Sequence, residues 1–256
     1  MSSSPTLDPA VDHNQGPSAP TTRYVRIDAA TPTFDPTPRP CQGRALTQHQ
    51  LERLDVYGYE SVKERRHIHV VGLHAAAVAL SLEFDPKVTA FVERPRTLQV
   101  ADQEHELHFW VRYRDGREQF LMLVPDAQTV VVPGGMRQAR ERVRLGDAAR
   151  SAAISMRLVT EDETLRTGVR TASHLLLLPF VQIAQTLDNR LALRTRIIGV
   201  LEQTPRYRIA QLEQALSGYC PADVHAVLAE LIYLGAVDMD CAAPISRGSL
   251  VWRARA

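Results

Sequence analysis

The residues of this 256-residue chain that could do chemistry lie in one stretch, His105 to Pro125. Leu107, Phe109, Val111 and Tyr113 alternate with His108, Trp110 and Arg112, which is the period of a strand. Arg114-Asp115-Gly116 reads as a three-residue turn with the glycine left-handed, and Glu118 to Val124 returns as a second strand. That closure sets Tyr113 opposite Arg117. His108 is then expected opposite Met122 and diagonal to Val124, all on one face. Metal-dependent hydrolysis on such a face would need carboxylates to hold the cation. Mg²⁺ prefers carboxylate and water oxygens. A face of His108, Met122 and Val124 offers one imidazole and no oxygen. Glu106 has the parity of His108, so it is the one acid that a rearranged site could use. Glu60, Glu64, Glu83 and Asp126 are the other acids close in sequence.

Other polar residues invite separate readings. His67, His69, His74, His105 and His108 suggest zinc, but the cysteine or carboxylate partners at set spacings are missing. Arg137, Arg140, Arg142, Arg144 and Arg150 fall in Met136 to Ala153, read here as one basic helix. Arg137, Arg140 and Arg144 would then share a face that could neutralise DNA phosphates. A solvated face partly cancelled by Glu141 and Asp147 fits equally well.

The elements that must position these residues follow from pattern. Residues 1–45 hold half of the chain's 16 prolines and few large apolar side chains, as a disordered tail would. Residues 46–66 read as a short helix and loop. Val71 to Phe84 reads as a buried helix stopped at Asp85-Pro86. Lys87 to Phe91 crosses to a strand at Arg96 to Val100, and the hairpin follows. Thr129 to Val132 and Met156 to Thr160 add short strands. Glu161 to Leu187 is helical. The order implies an α/β domain, a mixed sheet flanked by helices, over 46–188. From about 189 the pattern changes to helices near Leu193 to Thr204, Ile209 to Leu216 and Pro221 to Leu234. Val237 to Met239 and Leu250 to Trp252 could form a wing, so 189–256 reads as a winged-helix-like domain.

The third of these helices, PADVHAVLAELIYL, contains no Arg, Lys, Asn or Gln to read bases. Asp223 and Glu230 would repel phosphate. Val224, Val227, Leu228, Leu231 and Ile232 read as core. Arg194, Arg196, Arg206 and Arg208 could still touch a DNA backbone. Net charge is +1, which gives no global pull toward nucleic acid. Three cysteines without a CxxC pair suggest a reducing cytosol. Leu175 to Leu178 is too short an apolar run to span a bilayer, and the N-terminus lacks a signal pattern. The expected location is cytoplasmic, with no membrane partner.

Several short motifs together resemble the TnsA-type endonuclease subunit of heteromeric transposons. They are Leu82-Glu83-Phe84-Asp85-Pro86-Lys87-Val88, Phe91-Val92-Glu93-Arg94-Pro95, the hairpin, and Arg157-Leu158-Val159-Thr160-Glu161-Asp162. The resemblance spans roughly residues 60 to 240. It implies a restriction-endonuclease-like (PD-(D/E)xK) domain that cuts the non-transferred strand at transposon ends. It also implies as partners transposon-end DNA, a DDE transposase subunit and an AAA+ ATPase regulator. The family's catalytic acids and lysine fall on Ala75, His108, Met122 and Val124. The chain therefore reads as a catalytically inactive scaffold with no cofactor expected. The alternatives are an active endonuclease with a rearranged site, which would need Mg²⁺, and a winged-helix DNA-binding regulator.

Overall fold

The computed structural model describes residues 37–254; most of the expected tail, residues 1–36, lies outside them. Residues 37–45 are packed against the sheet. Arg39 pairs with Glu64, the Arg44 N–H donates to the Arg94 carbonyl at 3.1 Å, and Cys41 packs beside Ala90 and Trp110. Residues 37–45 therefore belong to the fold rather than to a tail, because paired arginines and a half-buried cysteine anchor this polar segment.

Residues 46–66 also differ from expectation. A capping box at Thr47 and Gln50 starts α1 (Gln48–Arg53), as patterning predicts. The rest is β1 (Val56–Ser61), paired antiparallel with β2 (Arg66–Val71). The ladder with β2 supplies pairing that the polar sequence of β1 did not advertise. Gly72, at φ +83°, then turns the chain into α2 (Leu73–Phe84).

The main sheet is built from β3 (Val88–Val100), β4 (Gln103–Tyr113), β5 (Glu118–Val124) and β8 (Met156–Thr160), in that order. Its first two pairings are antiparallel and β5 with β8 is parallel. Between β5 and β8 lie the small hairpin of β6 (Thr129–Val131) and β7 (Arg137–Ala139), and then α3 (Arg142–Ser151). β3 is one long strand with a register shift between Glu93 and Arg96 rather than a crossing segment and a strand. Pro95 has no N–H to donate and Arg94 is left-handed at φ +49°, which fits a bulge there.

Helices cover both faces of this mixed α/β sheet. On one face, Ala75, Ala79 and Leu82 of α2 pack against Phe91, Phe109, Leu121 and Leu123. On the other, Leu145 and Ala149 of α3 pack against Leu98, Leu107 and Met122. The chain continues through α4 (Glu161–Leu165), α5 (Gly168–Ala184), α6 (Arg190–Gln203), β9 (Tyr207–Arg208), α7 (Ile209–Ala215) and α8 (Pro221–Tyr233). It closes with β10 (Val237–Met239) and β11 (Leu250–Arg253), which join β9 in a three-stranded sheet.

The expected boundary at 188/189 falls in the turn between α5 and α6, but the core runs across it. Leu80 and Phe84 of α2 share one apolar cluster with Leu177 and Val181 of α5, Leu193 of α6 and Leu228 of α8. The Tyr233 hydroxyl donates to Glu83 Oε1 at 2.9 Å. Among the described residues, no helix is long and apolar enough to cross a membrane.

Candidate functional site

The hairpin has the expected register. Phe109 lies opposite Leu121, Val111 opposite Gln119, and the Tyr113 N–H donates to the Arg117 carbonyl at 2.8 Å. The ladder stops at Phe109. Beyond it the two strands part, and the His108 imidazole fills the split. Its Nδ1 accepts the Leu123 N–H at 3.1 Å, a donor that a continued ladder would have given to Leu107. An accepting Nδ1 must be unprotonated, so the neutral ring carries its proton on Nε2. Burial lowers the His108 pKa to about 4; Glu106 opposes that shift, while His74 and Arg94 add to it.

The alternation of β4 breaks at this point. Leu107 packs under α3 with Met122, whereas Phe109, of the same parity, packs under α2 with Leu121 and Leu123. The bulge at Arg94-Pro95 accounts for the flip, because it sets two residues of β3 against His108 alone. The expected shared face therefore does not form. Met122 is buried beneath α3, and strand alternation sends Val124 the same way. His108 instead sits at the split, within electrostatic range of His74 on α2. From Phe120 to Val124, β5 carries no ionisable side chain on either face.

Ala75 is 5 % exposed and belongs to the α2 core. Its neighbour His74 reaches the polar rim of the split, where burial lowers its pKa against the pull of Glu161 and Asp126. His74 Nε2 and Asp126 Oδ1 are both buried without a hydrogen-bond partner among the described residues. Glu161 Oε2 accepts the Asp126 N–H at 3.1 Å. Asp126 and Glu161 follow the C-terminal ends of the parallel strands β5 and β8, a common place for ligands in α/β sheets. Sequence spacing did not single out this group, because its members come from three separate elements. Among the described residues, no three His, Cys, Asp or Glu side chains converge as metal ligands.

Glu106 is engaged elsewhere. Its Oε1 accepts from Arg94 Nε at 2.7 Å and from Arg44 Nη2 at 2.8 Å. Past the break in β4 it no longer shares the orientation expected from His108. The remaining acids have structural partners. Glu64 Oε1 accepts the Phe91 N–H at 2.8 Å, and Glu93 binds Arg66 through both oxygens at 2.6 and 2.5 Å. Glu83 is fully buried and accepts from Ser61 Oγ, the Lys63 N–H and Tyr233. Glu60 pairs with His67 at 3.1 Å. His67 and His69 have their rings 6.1 Å apart. Lys63 gives its ammonium to the Leu82 and Asp85 carbonyls, and burial lowers its pKa to about 8.

The expected arginine face does not form either. Gly134 and Gly135, both at positive φ, close the β6–β7 hairpin, so Arg137 lies on a strand and α3 starts only at Arg142. Arg137 donates to Thr129 Oγ1, and Arg140 donates to the Thr129 carbonyl, both at 3.1 Å. Arg144 of α3 pairs with Glu141, the residue just before the helix.

In the C-terminal part, the apolar set of α8 is buried as expected. Glu230 is buried as well, rather than facing solvent, and it pairs with Arg190 and Arg194. Arg194, 4 % exposed, is thereby removed from any DNA-facing surface. Arg206 stacks on the Trp252 ring, and Arg208 donates to the Gly248 carbonyl. No protein-family model matches the chain, and no curated protein matches it significantly.

Proposed function

We propose that the chain is a catalytically silent, TnsA-like subunit of a DNA transposition complex. It would act in the cytoplasm as a scaffold between a DDE transposase, an AAA+ ATPase regulator and transposon-end DNA. The motifs that carry the resemblance support this reading, as does the element order α2–β3–β4–β5–α3–β8 with its single parallel pair, the order expected of a restriction-endonuclease-like core. The helices α6, α7 and α8 with the small β9–β11 sheet fit a winged-helix-like unit that packs through α8 instead of presenting it.

The observation that carries the reading is the filled split between β4 and β5. In a metal-dependent nuclease that gap opens onto carboxylates and a lysine. Here an uncharged imidazole occupies it, the flanking strand is apolar, and Glu106, the acid that acts on the imidazole, is held by two guanidinium groups. Phosphodiester hydrolysis assisted by a metal needs oxygen ligands placed together, so an imidazole in that gap supports the silent reading.

The test pairs two assays on the full chain. Supercoiled plasmid carrying transposon ends is incubated with the protein and Mg²⁺ or Mn²⁺, and nicking is followed on a gel. Co-purification with the transposase and the ATPase is measured on the same ends. The expected result is intact plasmid and a co-purifying complex. Metal-dependent nicking that is lost in Glu106→Ala or Asp126→Ala would show a rearranged active site and overturn the proposal.

A further inference from the structure

The two edges of the main sheet are finished differently. On β3 the Phe91 N–H is capped by Glu64, and residue 44 donates to the Arg94 carbonyl. The edge on β8 is open. The Phe120 N–H donates to the Ser155 carbonyl, and in a parallel ladder backbone groups alternate sides residue by residue. Arg157 and Val159 therefore face β5. Met156 and Leu158 turn their N–H and C=O outward, where they meet no hydrogen-bond partner among the described residues.

These outward groups line a cleft of about 360 Å³ between β7, α3 and β8. Met156, Leu158 and Ala139 give it an apolar side, and Arg137, Arg142 and Glu163 stand around it. Its charge balance is positive. Glu163 is already paired with Arg157, whereas Arg142 has no ion-pair partner among the described residues. Arg137 is only partly offset by Asp126, 3.8 Å away. Unpaired strand edges are templates for another strand, and native proteins usually close them. An edge left open beside an apolar pocket and the guanidinium groups of Arg142 and Arg137 fits recognition by strand addition.

We propose that the free edge of β8 docks an extended, acidic segment of a partner protein. The segment adds as a fifth strand, hydrogen-bonding the backbone of Met156 and Leu158. It sets apolar side chains into the cleft and carboxylates against Arg142 and Arg137. The proposal rests on the scaffold reading only for the kind of partner. It is tested without metal or DNA, so its failure is separable from that of the nicking assay.

The probe is a fluorescein-labelled twelve-residue peptide of alternating Glu and Val, titrated by anisotropy into the full-length chain. Its version N-methylated on every amide keeps the charge and has no backbone donor on either edge. A Lys-for-Glu version reverses the charge. The expected result is saturable binding of the first peptide and a loss of about tenfold or more for both controls. Arg142→Glu is expected to weaken the first peptide by about tenfold, and amide exchange at Met156 and Leu158 should slow on binding. Arg142 is exposed, so this variant leaves the core untouched. Equal binding of the N-methylated peptide would show simple charge attraction and overturn strand addition. Absence of peptide binding overturns it too, whether the cleft instead takes duplex DNA or residues 1–36 of the same chain.

Discussion

His108 is the most informative residue to perturb, because its proposed role is to seal the split in the sheet. Replacing it by Ala leaves the Leu123 N–H without its acceptor in a buried site. An unsatisfied buried donor costs about 1–3 kcal/mol, so a loss of about 2 kcal/mol is expected at pH 7. The pH dependence makes the test specific. The folded pKa of His108 is lowered to about 4 from an ordinary 6.5, with burial as the main cause. A group depressed in this way supports the fold fully above 6.5 and loses that support as pH falls toward 4. Each pH unit inside that window costs the wild type about 1.4 kcal/mol. The Ala variant has no imidazole there to protonate. The stability gap between the two proteins should therefore narrow below pH 6.5 and close near pH 5. Urea denaturation at pH 7, 6 and 5 measures it. His174, also lowered to about 4 by burial against Phe84, titrates in both proteins and cancels. His74 faces His108 and does not cancel, so a double-mutant cycle with His74→Gln removes its contribution. A gap that stays constant from pH 7 to pH 5 would refute the account, because His108 would then not be the buried neutral acceptor.

Two further substitutions probe the seam between the sheet and the C-terminal helices. Arg194→Met leaves Glu230 fully buried with Arg190 as its remaining cation, and breaking a buried pair on one side typically costs about 3–5 kcal/mol; a fall in thermal midpoint of less than a few degrees would show that Arg190 suffices. Gly235→Ala must hold a left-handed residue at φ +71°, with its new Cβ 2.7 Å from Pro86 Cγ; the strain alone is about 1–3 kcal/mol, and a neutral urea midpoint would mean that the loop after α8 gives way.

The sequence made some of this legible and hid the rest for physical reasons. The hairpin register was readable because turn length and alternation fix it locally, as were α2 and α8, whose apolar runs are long. The face of His108 was not readable. It depends on the bulge at Arg94-Pro95 in a neighbouring strand, and nothing within β4 or β5 announces that. The arginine helix failed for a similar reason: the Gly134-Gly135 turn recruits Arg137 to Ala139 into a strand, overriding a helical pattern that continues into α3. Burial of Glu230 was hidden because its cations, Arg190 and Arg194, lie thirty-six to forty residues away on another helix.

The motifs behind the resemblance turn out to be mechanical parts. Glu83 ties the β1–β2 turn and α8 to α2 through Ser61, Lys63 and Tyr233. Glu93 locks Arg66, and Pro86 packs against the backbone of Gly235. Losing any of these would leave a buried charge or a gap, at a cost of kilocalories. By contrast, Ala75 and Met122 are apolar residues in apolar surroundings, where a carboxylate would have to be held ionised at an energetic cost. Stability alone is therefore enough to keep the frame and to favour the changed positions. It follows that the frame motifs bear on fold, whereas a retained role must leave marks that stability does not demand. The open edge of β8 is such a mark. Capping it, as β3 is capped, would reduce the risk of aggregation, so an edge kept free beside Arg142 is a feature that the proposed docking explains and stability does not.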